Sequence, residues 1–348
     1  MRGAVLSVVA ITGASGRVGR ALIERLDPRD DVSRIVAVDV GEPGFTARNL
    51  EFYRLDVRSA SLVEVLRGCD ALIHLATSYG SGDEAHDVVV GGTRNALRAA
   101  AEAGVPHVVV RSAVEALGAH PDNDYPLTEG SPLRPIPASA LSLHRAEAEE
   151  VAGAFAEENP STAVAVLRMA PGLDASDGLG VRLLGGTVAV RVQGYDAEFQ
   201  LLDPSDAARA LEFAVDRRLG GVFHVCPDDR VTLSEAVRTV GAREVVVTHQ
   251  EADVRIARLA KMRLTTLDPS EAPFLMYPWA MSGAKLAELG FSCERTSRDV
   301  LSAAAAAAGT RVIVGPVRAR PRDLVMAALG AAALAGGLAR RRARRTRA

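Results

Sequence analysis

The chain has 348 residues, 48% apolar and 24% charged, with a net charge of −2. That length suits one large α/β unit or two modest domains, and the charge gives no global push toward nucleic acid or membrane. Three widely spaced cysteines (Cys69, Cys226, Cys293) form neither a metal pattern nor a disulfide framework, which fits a reduced, cytoplasmic setting. Aromatic residues make up only 4%, with no basic patch interleaved among them, so nucleic acid is not an expected partner.

Strand and helix patterns alternate from the start, as in a doubly wound parallel sheet of Rossmann type. Residues 5–11 are a nearly continuous apolar run, expected of a strand buried on both faces. Val18, Leu22 and Leu26 then recur at helical spacing. Further strands are expected at 35–38, 71–75, 105–110 and 163–167, with helices at 61–67, 92–103 and 138–158. Gly104 sits where a helix C-cap belongs. After Pro171 the pattern loosens into a smaller lobe, with a helix at 205–215, a strand at 222–225 and a helix at 232–240. We therefore expect an α/β fold with a Rossmann domain over 1–170, a smaller substrate-type lobe over 171–300 whose segments return to the first, and an Ala-rich, apolar helical tail over 301–348.

In that tail, residues 324–339 carry no charge, and six arginines fall within the last nine residues. As a helix, 16 residues span roughly 24 Å, short of the ~30 Å hydrocarbon core. Three readings stand: a membrane-surface or short anchor aided by arginine attraction to anionic headgroups, a soluble helix packed on a partner or second subunit, or disorder. The first would hold a cytoplasmic protein at the cytoplasmic face of the membrane through 324–348.

The chemistry lies in Thr12-Gly13-Ala14-Ser15-Gly16-Arg17-Val18-Gly19, which follows a strand and opens a helix. Gly13 permits the tight turn, Gly16 lets backbone reach a pyrophosphate, and Gly19 lets the helix pack closely. The helix N-terminus offers free N–H groups and positive dipole to phosphate. Asp39, at the end of the second strand, is placed to accept hydrogen bonds from ribose hydroxyls, and it would repel a 2′-phosphate. The expected cofactor is therefore NAD, with NADP disfavoured.

At this point the chain resembles the NAD-dependent epimerase/dehydratase family of extended short-chain dehydrogenases. The glycine loop is similar to that family's TGxxGxxG. Asp56-Val57-Arg58 resembles its adenine-contacting segment, and His74-Leu75-Ala76 the segment lying along the cofactor. Gly92-Thr93-Arg94-Asn95 and 201–208 resemble its central helix start and its return segment. The resemblance implies a cofactor site of Gly13, Ser15, Gly16, Arg17, Val18, Gly19, Asp39, Asp56, Val57, Leu75, Ala76 and Arg145, and nucleotide-sugar or similar ligands. A homodimer is a separate expectation that the sequence leaves open.

It also implies a Tyr-x-x-x-Lys pair on a helix with a nearby Ser, and these are missing. Matched on the Ala-Glu-Ala-Glu of 146–149, the three positions hold Leu141, Arg145 and Ala113. No shift of alignment restores the pair, because no lysine precedes Lys261 and none of the five tyrosines has a lysine or arginine four residues on. Arg145 can hold ribose hydroxyls or an anion. Nearby proton carriers are Ser112, Glu115, Tyr125, Ser142 and His144, and His144, which titrates near neutrality, is the candidate substitute acid/base. The expectation is an NAD-binding protein without the usual proton relay. The alternative is an active epimerase, dehydratase or reductase with a substituted acid/base.

Overall fold

A computed structural model describes residues 7–173 and 178–309, together with the backbone of Val312–Val314 and Val317–Ala319. The chain opens β1 (Val8–Thr12), α1 (Arg17–Leu26), β2 (Arg34–Asp39), β3 (Leu50–Arg54), α2 (Leu62–Leu66), β4 (Ala71–His74), α3 (Asp83–His86), α4 (Gly92–Ala103), β5 (His107–Ala113), α5 (Ala140–Glu158) and β6 (Ala163–Met169). These strands and β9 (Gly221–Val225) pair in parallel in the order β3-β2-β1-β4-β5-β6-β9.

The continuous apolar runs have a simple cause. Strand side chains alternate faces, and both faces are covered. Val9, Ile11, Ile35, Ala37, Ala71 and Ile73 pack into one core. Ala10, Val36, Val38 and Leu72 pack into the other, against Leu62, Leu66, Ala96 and Ala100 of α2 and α4. α4 ends on Gly104, whose φ of +76° is the left-handed conformation a glycine C-cap supplies.

The strand order reverses between β1 and β4, and the glycine loop leaves β1 at that point. A crevice at the carboxyl ends of the strands is where such sheets bind ligands.

The remaining chain forms α6 (Leu179–Leu184), β7 (Val188–Val192), β8 (Glu198–Phe199), α7 (Pro204–Asp216), β9, β10 (Val231–Thr232), α8 (Leu233–Thr239), β11 (Arg243–Val247), α9 (Ala252–Lys261), α10 (Ala284–Glu288) and α11 (Ser297–Gly309). Not all of it is a separate lobe. β9 joins the main sheet beside β6, and α7 shares with α1 the core on one face of that sheet, through Leu211, Ala214 and Val215. The smaller lobe proper has the parallel pair β7–β11 and the short antiparallel pair β8–β10, over a core where Trp279 stacks on Phe199 at 5.2 Å.

Beyond Gly309 the expected helical tail gives way to two short antiparallel strands, Val312–Val314 and Val317–Ala319. β-branched residues at 312–314 favour extended backbone over helix. The segment 324–348, with its three readings, lies outside the described residues. Among the described residues no helix is long and apolar enough to cross a membrane.

Candidate functional site

The glycine loop is built by two close approaches that are internal to the fold. Gly13 has φ +68°, and a Cβ there would stand 2.6 Å from the Ala76 backbone nitrogen. A Cβ on Gly19 would stand 2.6 Å from the Ala14 carbonyl oxygen, so its close packing is with the loop after β1. Gly16 differs. Its backbone is ordinary (φ −68°, ψ 163°) and its Cβ would meet only the Gly13 oxygen at 3.3 Å. Gly16 is the N-cap of α1, with no side-chain cap and no acidic residue in the first turn. The first-turn N–H groups and the positive helix end therefore face the cavity without a protein anion.

That cavity has a volume of about 620 Å³, within the ~300–1,000 Å³ usual for small-molecule sites. Gly13, Ser15, Gly16, Arg17, Val18, Gly19, Asp39, Leu75 and Arg145 all line it. Asp56, Val57 and Ala76 line an adjoining hollow of about 350 Å³ that shares Gly13, Asp39 and Thr77 with the first. The twelve residues expected at the cofactor thus line two hollows that share three residues. Asp39 is held by the N–H groups of Ser15 (2.9 Å) and Gly41 (3.0 Å), which aim its carboxylate along the loop. Asp56 is held by Arg58 at 2.7 Å, which keeps its carboxyl below the usual range. A larger groove, about 860 Å³, runs between α4 and α5 but shares no residue with the glycine loop, so its size does not mark the cofactor site.

The three substituted positions come together. Ala113 and Arg145 line the main cavity. Leu141, one helical turn before Arg145, lines a neighbouring hollow of about 450 Å³, which meets the main cavity at Tyr79. Arg145 is only 7% exposed. Burial lowers its guanidinium from the ordinary value, and its contact is the face of the Tyr79 ring, 5.7 Å away.

Of the five proton carriers named from the sequence, one reaches the cavity. Glu115 lines it, 3% exposed, and its Oε2 has no hydrogen-bond partner. Burial pushes its carboxyl up, against the pull of Arg145 and Arg111. Ser112 instead donates to Glu149 at 2.5 Å, beneath the sheet end, where Arg168 also grips Glu149 at 2.8 Å. Ser142 donates to the Glu115 carbonyl, and Tyr125 to Glu198. His144 does not line the cavity. Its ring packs edge-on against His86 at 5.2 Å, and burial followed by His86 lowers its pKa. Consecutive helical residues point about 100° apart, so when Arg145 faces the cavity, His144 faces elsewhere. His74 is likewise structural: its nitrogens bond Thr12 (2.8 Å) and Thr93 (3.1 Å), and burial lowers it to about 4.

Among the cavity residues outside the sequence reading are Arg111 and Tyr79. Arg111 stands on the same strand face as Ala113, two residues earlier, a placement the period-2 pattern contains. Tyr79 comes from the loop after β4, which has no periodicity to read. Its hydroxyl lies 3.5 Å from Arg111, and its carbonyl takes a hydrogen bond from Arg182, which also pairs with Glu271 of the smaller lobe at 2.5 Å.

A parallel sheet with a glycine loop at its switch point, a carboxylate after β2 and a cavity between them define a Rossmann-type α/β fold. The model of the NAD dependent epimerase/dehydratase family matches residues 9–171. Over that segment the chain is similar to this family. An uncharacterized protein of Mycobacterium tuberculosis is 28% identical over 330 residues, 90% of this chain and 87% of its own length. The L-arabinose 1-dehydrogenase (NAD(P)(+)) of Haloferax volcanii is 33% identical over 108 residues, 30% of this chain and 40% of that protein. Among solved structures, the dTDP-glucose 4,6-dehydratase of Streptomyces venezuelae with NAD bound superposes with a TM-score of 0.66 at 20% identity, covering 86% of this chain and 96% of that one. The UDP-glucuronic acid 4-epimerase of Bacillus cereus, in complex with NAD, gives 0.65 at 15% identity, covering 86% and 97%. At such identities the likeness is one of fold.

Proposed function

We propose that this protein binds NAD in the cavity at the glycine loop, in preference to NADP, without the Tyr-x-x-x-Lys and Ser relay of the family it resembles. The observation that carries this is Gly16. The fold demands glycine far less there than at Gly13 or Gly19, a Cβ meeting the Gly13 oxygen tightly at 3.3 Å rather than 2.6 Å, whereas a pyrophosphate against the α1 N-terminus needs that space. Asp39 supports NAD over NADP, because a 2′-phosphate beside it would meet a like charge. The solved structures of similar fold that hold NAD support the same cofactor. Calorimetric titration of the full chain with NAD and NADP tests this, with binding expected for NAD and at least tenfold weaker binding for NADP. Absence of NAD binding overturns it.

When bound, NAD would supply a hydride acceptor. Arg145 is placed to hold hydroxyls or an anion, but a permanently charged guanidinium does not exchange protons as a lysine–tyrosine pair does. Leu141 has no proton to give and Ala113 no hydrogen bond to offer. A second reading, an active epimerase, dehydratase or reductase on a nucleotide-sugar, is favoured by the hollow beyond Tyr79 and by Glu115, a carboxyl in the cavity that burial pushes up. Turnover of nucleotide-sugars by the NAD-loaded protein, lost in Glu115→Gln, would select that reading over the first.

Two associations belong to this proposal. The groove between α4 and α5 sets Arg94 and Arg98 opposite Glu147 and Glu150, a mixed-charge wall that supports a homodimer; sedimentation equilibrium tests it. The uncharged stretch and arginine cluster of 324–348 support docking at the cytoplasmic face of an anionic membrane; co-flotation with phosphatidylserine vesicles, lost on removal of 324–348, tests it.

A further inference from the structure

We propose that the cavity takes, beside the cofactor, a ligand bearing a carboxylate, clasped between Arg111 and Arg145 with the Tyr79 hydroxyl as a third donor. This rests on the cofactor reading above and names the chemistry of the second ligand.

The guanidinium groups of Arg111 and Arg145 flank one phenol and line one cavity. Arg111 reaches the Tyr79 hydroxyl at 3.5 Å, and Arg145 stands 5.7 Å from the centre of the same ring. Among the described residues, neither guanidinium has an ion pair. A cation as buried as Arg145 is costly to leave without an anion.

Among the described residues, the carboxylates that could answer it do not pair with it. Glu149, one helical turn from Arg145, is held by Arg168 at 2.8 Å and by the Ser112 hydroxyl. Glu115 shares the cavity, but among the described residues no ion pair joins it to either guanidinium, and its Oε2 has no hydrogen-bond partner. Asp39 lies at the end of β2 and is held by the Ser15 and Gly41 N–H groups.

The cofactor does not supply the missing anion either. Its pyrophosphate belongs at the loop after β1. Arg111 lies two residues before the end of β5, two strands further along the sheet, roughly 10 Å at the usual strand spacing. The ribose hydroxyls that Arg145 can reach are neutral and leave both charges uncompensated. Two guanidinium forks and a hydroxyl brought to one cavity from different elements suit a planar carboxylate, which arginine binds through paired N–H donors. Tyr79 also opens onto the second hollow of about 450 Å³, which gives room for the rest of the ligand.

The test uses the full chain and two probe pairs, UDP-glucuronic acid against UDP-glucose, and free glucuronate against glucose. Within each pair only a carboxylate replaces a hydroxymethyl group. NAD is titrated first. Failure at that step counts against the cofactor reading alone, and the pairs are then titrated into the cofactor-free protein. The expected result is about tenfold or tighter binding of the carboxylate member of at least one pair. Arg111→Gln should bring that ratio to within about twofold, and Arg111→Lys should restore part of it; thermal unfolding of both variants verifies that they fold. Equal binding within each pair, no binding in either pair, or an unchanged ratio in Arg111→Gln overturns the proposal. A variant that weakens both members of the UDP pair equally also overturns it, because the arginine would then be holding the diphosphate.

Discussion

Replacing Gly16 by valine separates ligand binding from folding at the glycine loop. Gly16 has φ −68° and ψ 163°, a conformation any L-residue adopts, and a Cβ there meets only the Gly13 oxygen at 3.3 Å. Loss of glycine at an N-cap costs about 0.5–1 kcal/mol. Restricting the unfolded chain returns about 0.4–1 kcal/mol. Stability should therefore change little. The valine side chain would, however, fill the space where phosphate must approach the first turn of α1. Losing even one charge-assisted hydrogen bond costs about 1.5–3 kcal/mol, or roughly 10–100-fold in affinity. Gly13→Ala is the contrasting variant: φ +68° and a Cβ 2.6 Å from Ala76 nitrogen damage the fold itself. Calorimetry with NAD and thermal unfolding should show Gly16→Val folded but weak in binding, and Gly13→Ala lowered in Tm. Unchanged NAD affinity in Gly16→Val would refute the assignment of the pyrophosphate to this loop.

Asp39→Ser should weaken NAD about tenfold and narrow the preference over NADP, since it removes both the ribose acceptor and the repelling charge; an unaltered NAD/NADP ratio counts against the role given to Asp39. Arg168→Met leaves Glu149 buried without its partner, the two side chains being 6% and 4% exposed, and should cost about 3–5 kcal/mol by chemical denaturation; a loss below about 1 kcal/mol would be incompatible with the pair's structural role. His74 stays neutral in the fold, with its pKa lowered from 6.5 to about 4. The unfolded chain binds the proton first, so this group's stabilisation is whole above pH ~6.5 and declines by about 1.4 kcal/mol per unit as pH falls toward 4. Glu115, Glu149 and Glu271, raised by burial, act with the opposite sign. The difference between wild type and His74→Asn isolates the histidine, and a pH-independent difference between pH 7 and 4.5 would rule it out.

Much of the site follows from local pattern. The loop at 12–19 and Asp39 are legible because a glycine turn between a buried strand and an amphipathic helix is a short-range arrangement, complete within one β-α-β unit. The missing proton relay is legible for a stronger reason: a chain with no lysine before Lys261 cannot place one at Arg145, whatever its fold. The apolar runs of β1, β2 and β4 report burial on both faces, hence a covered parallel sheet. What the sequence leaves open is which side chains meet across elements. His144 and Arg145 are neighbours in the chain, and only the rotation of α5 against β5 decides that Arg145 faces the cavity and His144 faces His86. Tyr79, Arg111 and Glu115 join Arg145 from a loop, a strand end and the turn after it, contacts made over 30 to 66 residues of chain. Hydrophobic periodicity encodes the face an element buries. It carries no record of which distant polar group that face will meet, and in this protein that meeting sets the charge of the cavity.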